Sequence, residues 1–208
     1  MKNHAGPVLL AAGVTLALGG AALVWRSLPS GPAPAGEIPH AVETSNAPPL
    51  PAFRLAGPRG EFRNANLLGH WTFMFFGYTQ CPDVCPTALA LMKEVGANLR
   101  AVPAAPTFEV VFVSVDPRRD TDQLLAQYLA AFDPGIVGVS GDDAALRPLT
   151  QALGVAYRRN EEKDARNYTV DHSAAIHLID PQGRLAASFP PPQQAATLAT
   201  ELRRIALR

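Results

Sequence analysis

Two nearly uninterrupted apolar runs constrain the fold more than any other feature of this sequence. They are WTFMFFGY at residues 71–78 and TFEVVFVSVD at residues 107–116. Such runs are typical of central strands that are covered on both faces, as in parallel sheets. Apolar side chains then recur every three or four positions in TALALMKEVGANL and in TDQLLAQYLAAF. This alternation predicts strand–helix units of an α/β fold.

Weaker patterns predict the other strands. PAFRLAGPRGEF (51–62) has a Gly-Pro-Arg-Gly turn between two short runs and predicts a hairpin. IVGVSG (136–141) predicts a short strand, and SAAIHLIDPQGRLAASF (173–189) predicts a terminal hairpin. Together with the helices, these elements predict a sheet with helices on both faces.

Three segments have helical patterns. The helix at 121–132 is expected to present one apolar face, formed by Leu124, Leu125, Tyr128, Leu129 and Phe132. In DDAALRPLTQALG (142–154), Gly154 is expected to end a helix that Pro148 kinks or splits. QQAATLATELRRIAL (193–207) predicts an amphipathic helix with arginines near its end.

The N-terminal part of the chain predicts attachment to a membrane. An uncharged run from Ala5 to Trp25 is long enough to cross a hydrocarbon core of about 30 Å. Residues 1–26 are therefore predicted to be an anchor; a cleaved signal peptide is the alternative. The proline-rich segment 27–48 predicts a semi-rigid linker, and 49–208 the folded domain. A formal net charge of zero argues against a nucleic-acid partner.

The two cysteines of the chain, Cys81 and Cys85, lie between a predicted central strand and the following helix. That position is the carboxyl edge of the sheet, where open α/β folds present their sites. Because a helix N-terminus carries partial positive charge, both thiols are expected to ionise easily. Three interpretations stay open: a structural disulfide, a thiol-disulfide oxidoreductase, or a metal site in which the cysteines share one face of a helical turn.

A metal site needs a further ligand, and His172 is the candidate histidine. It lies in YTVDHS, a segment predicted to be a loop that leads into the terminal hairpin. His4 and His40 fall in the tail and the linker, His70 at the opposite end of the cysteine-bearing strand, and His177 inside a strand pattern as a satisfied, half-buried side chain. Two thiolates and an imidazole suit copper, especially Cu(I), better than a hard cation.

GYTQCPDVCPTAL, VFVSVDPRRDT and YTVDHSAAIHLIDPQGRL resemble the motifs of the Sco/SenC family of membrane-anchored copper proteins. The resemblance covers roughly residues 47 to 206. It implies a thioredoxin-like, peroxiredoxin-like fold with a mixed sheet, and copper, as Cu(I) or Cu(II), bound by Cys81, Cys85 and His172. It also implies maturation of the dinuclear copper centre (CuA) in subunit II of cytochrome c oxidase. Copper delivery and reduction of the receiving cysteines by Cys81 and Cys85, a redox-active pair able to form a disulfide, are the two routes.

The same resemblance implies partners and a location. The partners are cytochrome c oxidase subunit II, and another periplasmic copper chaperone or thiol reductase. The location is the bacterial cytoplasmic (inner) membrane, spanned once, with the soluble domain in the periplasm. Asp83 and Asp116 match family positions, although Asp116 is equally explained as a turn or cap, and Asp171 as a residue that orients its loop. A redox or copper sensor is a further alternative.

Overall fold

Strands and helices alternate along residues 41–160 and 168–207, the part of the chain that this computed structural model describes. The strands are β1 Val42–Glu43, β2 Arg54–Gly57, β3 Gly60–Arg63, β4 Trp71–Gly77, β5 Phe108–Ser114, β6 Val137–Ser140, β7 Tyr157–Asn160, β8 Thr169–His172, β9 Ile176–Ile179 and β10 Leu185–Phe189. The helices within these residues are α1 Val84–Arg100, α2 Asp122–Ala130, α3 Asp143–Leu153 and α4 Ala195–Ala206, and a 3₁₀ turn covers Asn64–Leu67.

Eight of the strands form one mixed sheet in the order β1-β10-β9-β4-β5-β6-β2-β3. β4, β5 and β6 run parallel, whereas β9 pairs with β4 and β2 pairs with β6 in the antiparallel sense. β7 and β8 form a separate antiparallel pair. Both predicted hairpins and all the predicted central strands are therefore confirmed.

The parallel strands β4 and β5 are buried on both faces. Six of the seven residues in β4 are buried, and the pairing runs in register from Trp71 opposite Phe108 to Gly77 opposite Ser114. Successive side chains of a strand point to opposite faces. The Phe75 and Phe112 rings, 5.3 Å apart, therefore share one face, and the Phe76 and His177 rings, 6.1 Å apart, lie on the other.

Helices cover both faces, as predicted. α1 connects β4 to β5 and α2 connects β5 to β6, and right-handed crossovers in the same direction place both helices on one face. α4 packs against α1. α3 packs against β2 from the other face, because Ala145 and Leu55 both approach Gly141 there.

Pro148 does not split its helix. α3 runs without interruption from Asp143 to Leu153, so the predicted split into two helices is wrong. Proline removes one backbone hydrogen bond. Leucines on both sides of it bury their side chains, and packing of an apolar face dominates helix stability in proteins. Gly154 ends the helix in the left-handed conformation at φ 65°, as predicted.

Leu124 lies outside the apolar face predicted for α2. Its side chain is 36% exposed, whereas Leu125 is fully buried and Leu129 is 3% exposed. Leu125 and Leu129 both lie against Gly138 of β6, whose missing side chain leaves room for them. The helix therefore packs along a narrower stripe than the sequence pattern predicts.

The predicted anchor at 1–26 lies outside the described residues. Part of the predicted linker is described: Val42–Glu43 pair with β10 as an edge strand. Pro49, the first residue of the predicted domain, forms a bridge with Arg184. Within residues 41–160 and 168–207, no helix has both the length and the apolar character that a membrane crossing requires.

Neighbouring leucines of α2 offer a matched test of the packing. Replacing Leu125 by alanine should lower the free energy of unfolding by about 2–5 kcal/mol, because it leaves a cavity against Gly138. Leu124→Ala should change it by about 0.5 kcal/mol or less, as exposed positions do. Urea denaturation followed by tryptophan fluorescence measures both, and equal losses would contradict the orientation of α2.

Candidate metal centre

The two cysteines lie just beyond β4 in different local structures. Cys81 precedes α1, and its amide donates to the Tyr78 carbonyl over 3.2 Å, closing a turn. Cys85 is the second residue of α1. The prediction that both cysteines occupy one helical turn is therefore wrong for Cys81. Asp83, between them, is exposed and makes no side-chain capping bond to the helix.

Gly77 lets the helix bring Cys85 against the end of β4. A Cβ atom added at Gly77 would lie 2.5 Å from the Cys85 Sγ and 2.9 Å from the Phe112 ring. Real Cβ atoms do not approach other heavy atoms that closely. Glycine at this position therefore allows the thiol to lie directly on the strand.

His172 is the last residue of β8, where the sequence predicted a loop. It pairs with Tyr157 of β7, and the next residue, Ser173, donates its amide to the Ala156 carbonyl over 2.9 Å. The histidine backbone is thus held by strand pairing on one side and by a hydrogen bond immediately after it. The predicted loop is wrong because β7 and β8 are short and mostly half-buried or exposed, so their hydrophobic pattern is weak.

One hydrogen bond sets the tautomer of His172. Its Nδ1 lies 3.1 Å from the Ser173 carbonyl oxygen, which can only accept, so Nδ1 carries the proton. The neutral ring then presents the Nε2 lone pair to the Cys85 Sγ, 3.5 Å away. Metal-binding histidines are commonly oriented in this way, with the other ring nitrogen bonded to a carbonyl or carboxylate.

The structure brings Cys81, Cys85 and His172 together. Their ligand atoms all lie within 4.8 Å of one another, the one such cluster of possible metal ligands found in the described residues. Cys81 is 9% exposed and Cys85 is 1% exposed, and both are free thiols. With metal–sulfur bonds of about 2.3 Å, a single ion can contact all three ligand atoms after small side-chain movements.

Burial controls ionisation at this site. It raises the pKa of the Cys85 thiol, an effect that the backbone bond at Tyr78 opposes only partly and that Cys81 reinforces. The prediction of an easily ionised thiol is therefore wrong for Cys85. Burial also lowers the pKa of His172, more than the Ser173 carbonyl raises it. Before any metal binds, Cys85 is a neutral thiol and His172 a neutral imidazole near pH 7.

A buried ion pair lies next to the segment that carries Cys81, where Arg119 also donates to the Gln80 side chain. Asp116 is fully buried; it accepts from the Arg119 Nε over 2.5 Å and from the Tyr168 hydroxyl over 2.5 Å. Nearby, Asp120 accepts from the Thr79 amide and hydroxyl. Asp116 is thus more than a turn residue. The sequence analysis did not identify Arg119 or Asp120. Their position just after β5, at the same sheet edge as the cysteines, could have indicated them.

Other residues that the sequence analysis considered lie apart from the cluster. Asp171 is exposed, and hydrogen bonds from Asn160 and Arg158 hold its pKa below the usual range. The His70 Nε2 lies 3.6 Å from a Glu109 carboxylate oxygen at the far end of β4. His177 is buried rather than half-buried, and it is only partly satisfied: its Nδ1 bonds to a serine hydroxyl, whereas its Nε2 has no hydrogen-bond partner among the described residues. His4 and His40 lie outside the described residues.

Comparison with known proteins identifies relatives of the whole described domain. The family model described as SCO1/SenC matches residues 42–207. The human protein named "Protein SCO2 homolog, mitochondrial" is 33% identical over 153 residues, which cover 73% of this chain and 58% of the human protein. The match thus spans less than two thirds of that relative.

Solved structures agree in fold and include copper-bound proteins. Bradyrhizobium japonicum ScoI with copper bound is 35% identical, with a TM-score of 0.66, and the match covers 76% of this chain and 99% of that one. Yeast Sco1 with copper bound is 30% identical, with a TM-score of 0.67, covering 74% and 87%. The predicted thioredoxin-like architecture of the described domain is thereby confirmed.

The buried state of Cys85 predicts slow alkylation. In the metal-free, reduced Cys81→Ser chain, iodoacetamide should modify Cys85 at least about tenfold more slowly at pH 7.5 than a free cysteine, whose pKa is about 8.5. The rate should still rise with pH above 9, because a raised pKa keeps the thiol protonated there. Mass spectrometry measures the rate. Unfolding in urea should restore ordinary reactivity, and a titration midpoint at or below 8.5 in the folded chain would contradict the assignment.

Proposed function

This chain belongs to the SCO1/SenC family, and on that basis we propose that it is a copper-binding factor in cytochrome c oxidase assembly. It delivers copper to the CuA centre of subunit II. The observation that carries the proposal is the convergence of Cys81, Cys85 and His172 within 4.8 Å. Two relatives of similar fold and at least 30% identity are copper-bound proteins.

The donor set fits copper better than other metals. Thiolate and imidazole ligands suit Cu(I), and three ligands satisfy it, whereas structural zinc sites have four protein ligands. No fourth His, Cys, Asp or Glu joins this cluster within the described residues. The exposed side chains of Asp83 and Val84 flank the cysteines, so a partner can approach the bound ion.

The proton on the Cys85 thiol is lost when copper binds and regained when a partner takes the copper. Cys85 must lose its proton when copper binds, because the thiolate is the ligand and burial keeps the free thiol neutral. His172 enters as a neutral ligand without losing a proton, because its pKa is lowered. When a partner's thiolates replace these ligands, Cys85 returns to its protonated, buried state.

A thiol-disulfide reductase is the second candidate, and the proximity of the two sulfurs favours it. Cys81 and Cys85 are free thiols whose sulfur atoms lie within 4.8 Å of each other. One thiolate attacks a partner disulfide and the other resolves the mixed disulfide. The partner gains two electrons and two protons, and this chain is left with a Cys81–Cys85 disulfide.

Replacing His172 separates the two candidate functions. The full-length chain in detergent should bind one copper ion with a thiolate-to-Cu(II) charge-transfer band, and His172→Ala should alter that band and weaken binding by at least about tenfold, the change typical for loss of metal-site contacts. His70→Ala, which removes a histidine far from the cluster, should change neither. Wild-type affinity and spectrum in His172→Ala would contradict the three-ligand site.

The same variants test reduction of a disulfide in the CuA site of subunit II. If reduction is the function, activity survives His172→Ala and is lost in Cys81→Ser, because the sulfur chemistry does not use the imidazole. If delivery is the function, metallation of reduced subunit II is lost in both variants.

The apolar run at Ala5–Trp25 supports a further part of the proposal. Residues 1–26 anchor the domain in the cytoplasmic membrane of a bacterium, and the domain faces the periplasm. The full-length chain should then stay in the membrane fraction after alkaline carbonate washing, with an intact mass that includes residues 1–26. A chain lacking residues 1–26 should not be retained. A soluble protein whose N-terminal residues have been removed would instead indicate a cleaved signal.

A further inference from the structure

We propose that Arg119 is a positioning residue that holds the cysteine loop, residues 78–83, against the histidine strand β8. Through this contact it keeps the His172 ring within reach of the two thiols. The inference rests on the proposed copper site, and it names a residue that is itself not a metal ligand. It concerns the geometry of the site before and after metal binds.

Hydrogen bonds from one guanidinium nitrogen join the two segments. The Arg119 Nη1 donates to the Gln80 side-chain oxygen over 3.1 Å and to the Tyr168 carbonyl over 2.8 Å. Gln80 directly precedes Cys81, and Tyr168 directly precedes β8, which ends at His172. A single side chain therefore spans from the cysteine loop to the beginning of the histidine strand.

Ring contacts extend this link as far as the imidazole. The Arg119 guanidinium carbon lies 3.6 Å from the centre of the Tyr168 ring and 5.4 Å from the centre of the Tyr78 ring. The Tyr78 ring contacts the His172 ring edge-on, with centres 6.0 Å apart and planes at 89°. Arg119 thus supports the aromatic ring against which His172 packs.

Asp116 fixes the orientation of the guanidinium. Its fully buried carboxylate accepts from the Arg119 Nε, while its other oxygen accepts from the Tyr168 hydroxyl. The guanidinium is planar and presents its donors in fixed directions, so binding at Nε also sets where Nη1 points. The Arg119 side chain is only 10% exposed, which leaves it little freedom to turn away.

Another aspartate holds the cysteine loop without reaching the histidine. Asp120 binds Thr79 through its backbone amide and its hydroxyl, and it also accepts from Ser114 at the end of β5. These contacts attach the loop to the sheet. The contacts toward β8 and the residue before it come instead from Arg119, Tyr78 and Cys85.

Lysine at position 119 separates positioning from general stability. An ammonium can pair with Asp116, so Arg119→Lys retains a cation beside the buried carboxylate. A point charge on a flexible stem does not reproduce the fork that reaches Gln80 and Tyr168 or the stacking on the tyrosine rings. The matched control is Arg158→Lys, because Arg158 of β7 pairs with Asp171 of β8, next to His172, through an exposed contact.

The experiment measures Cu(I) affinity of the full-length chain in detergent by competition with a chelator. Arg119→Lys should lower the affinity by about 10- to 100-fold, the range typical when residues that orient metal ligands are replaced. Arg158→Lys should leave it unchanged. In the His172→Ala background, Arg119→Lys should cause no further loss, because its effect passes through the histidine. An equal loss in both backgrounds would overturn the proposal.

A second readout does not involve copper. In the metal-free protein, NMR of the His172 ring should show changed ring-proton chemical shifts in Arg119→Lys, because the Tyr78 ring that packs edge-on against it loses its support, and unchanged shifts in Arg158→Lys. Identical ring spectra in all three proteins would overturn the proposal.

If the lysine variant does not fold, Gln80→Ala removes one acceptor on the exposed side of the bridge, and it should weaken copper binding in the same histidine-dependent way. Unchanged affinity in Gln80→Ala would then count against the link. If His172→Ala alone binds copper like the wild type, the three-ligand site itself fails, which is a different result.

Discussion

The parallel pairing of β4 with β5 is the constraint on which the rest of the structure depends. Because the two strands run parallel and in register, both end at the same carboxyl edge of the sheet, where Gly77 and Ser114 lie side by side. The cysteine loop follows the first strand, and the segment from Asp116 to Asp120 follows the second. Adjacent strand ends therefore place the thiols beside the carboxylates and the arginine that hold their loop. The chemistry of the site is arranged by the packing of apolar side chains that take no part in it.

Two opposing effects act on Cys85, and burial is the stronger. A helix N-terminus stabilises a negative charge by about 0.3–1 kcal/mol, and by up to about 2 kcal/mol in favourable geometry. Removing a charge from water costs several kcal/mol even after the protein relaxes. Cys85 is 1% exposed, so its pKa rises despite its position in the first turn of α1. The sequence places the thiol at the helix N-terminus correctly, but it does not show that Gly77 lets the sulfur sink against the strand.

How far the sequence predicts the structure depends on the range of the interaction. The central strands, both hairpins and the place of the cysteines follow from hydrophobic runs and turn residues, which are local. The sequence favours His172 because the other four histidines lie in the tail, in the linker, at the far end of the strand or inside a strand, and the structure brings His172 to the thiols. The continuity of α3 through Pro148 and the exposure of Leu124 depend on packing against other elements. The Asp116–Arg119 pair joins segments far apart in the chain, so spacing alone could not reveal what its partners are.

The orientation of His172 bears on the choice between carrying copper and reducing disulfides. Thiol-disulfide exchange needs two sulfurs that can meet, and it makes no demand on a nearby lone pair. Here a carbonyl holds the proton on Nδ1, and the Nε2 lone pair faces Cys85 in a half-buried position. Burial lowers the pKa of His172, so the ring stays neutral. A neutral ring cannot stabilise a neighbouring thiolate as an imidazolium would, but it keeps the lone pair that a metal ligand needs. The imidazole is thus oriented for a metal more than for sulfur exchange, which favours copper binding over disulfide reduction.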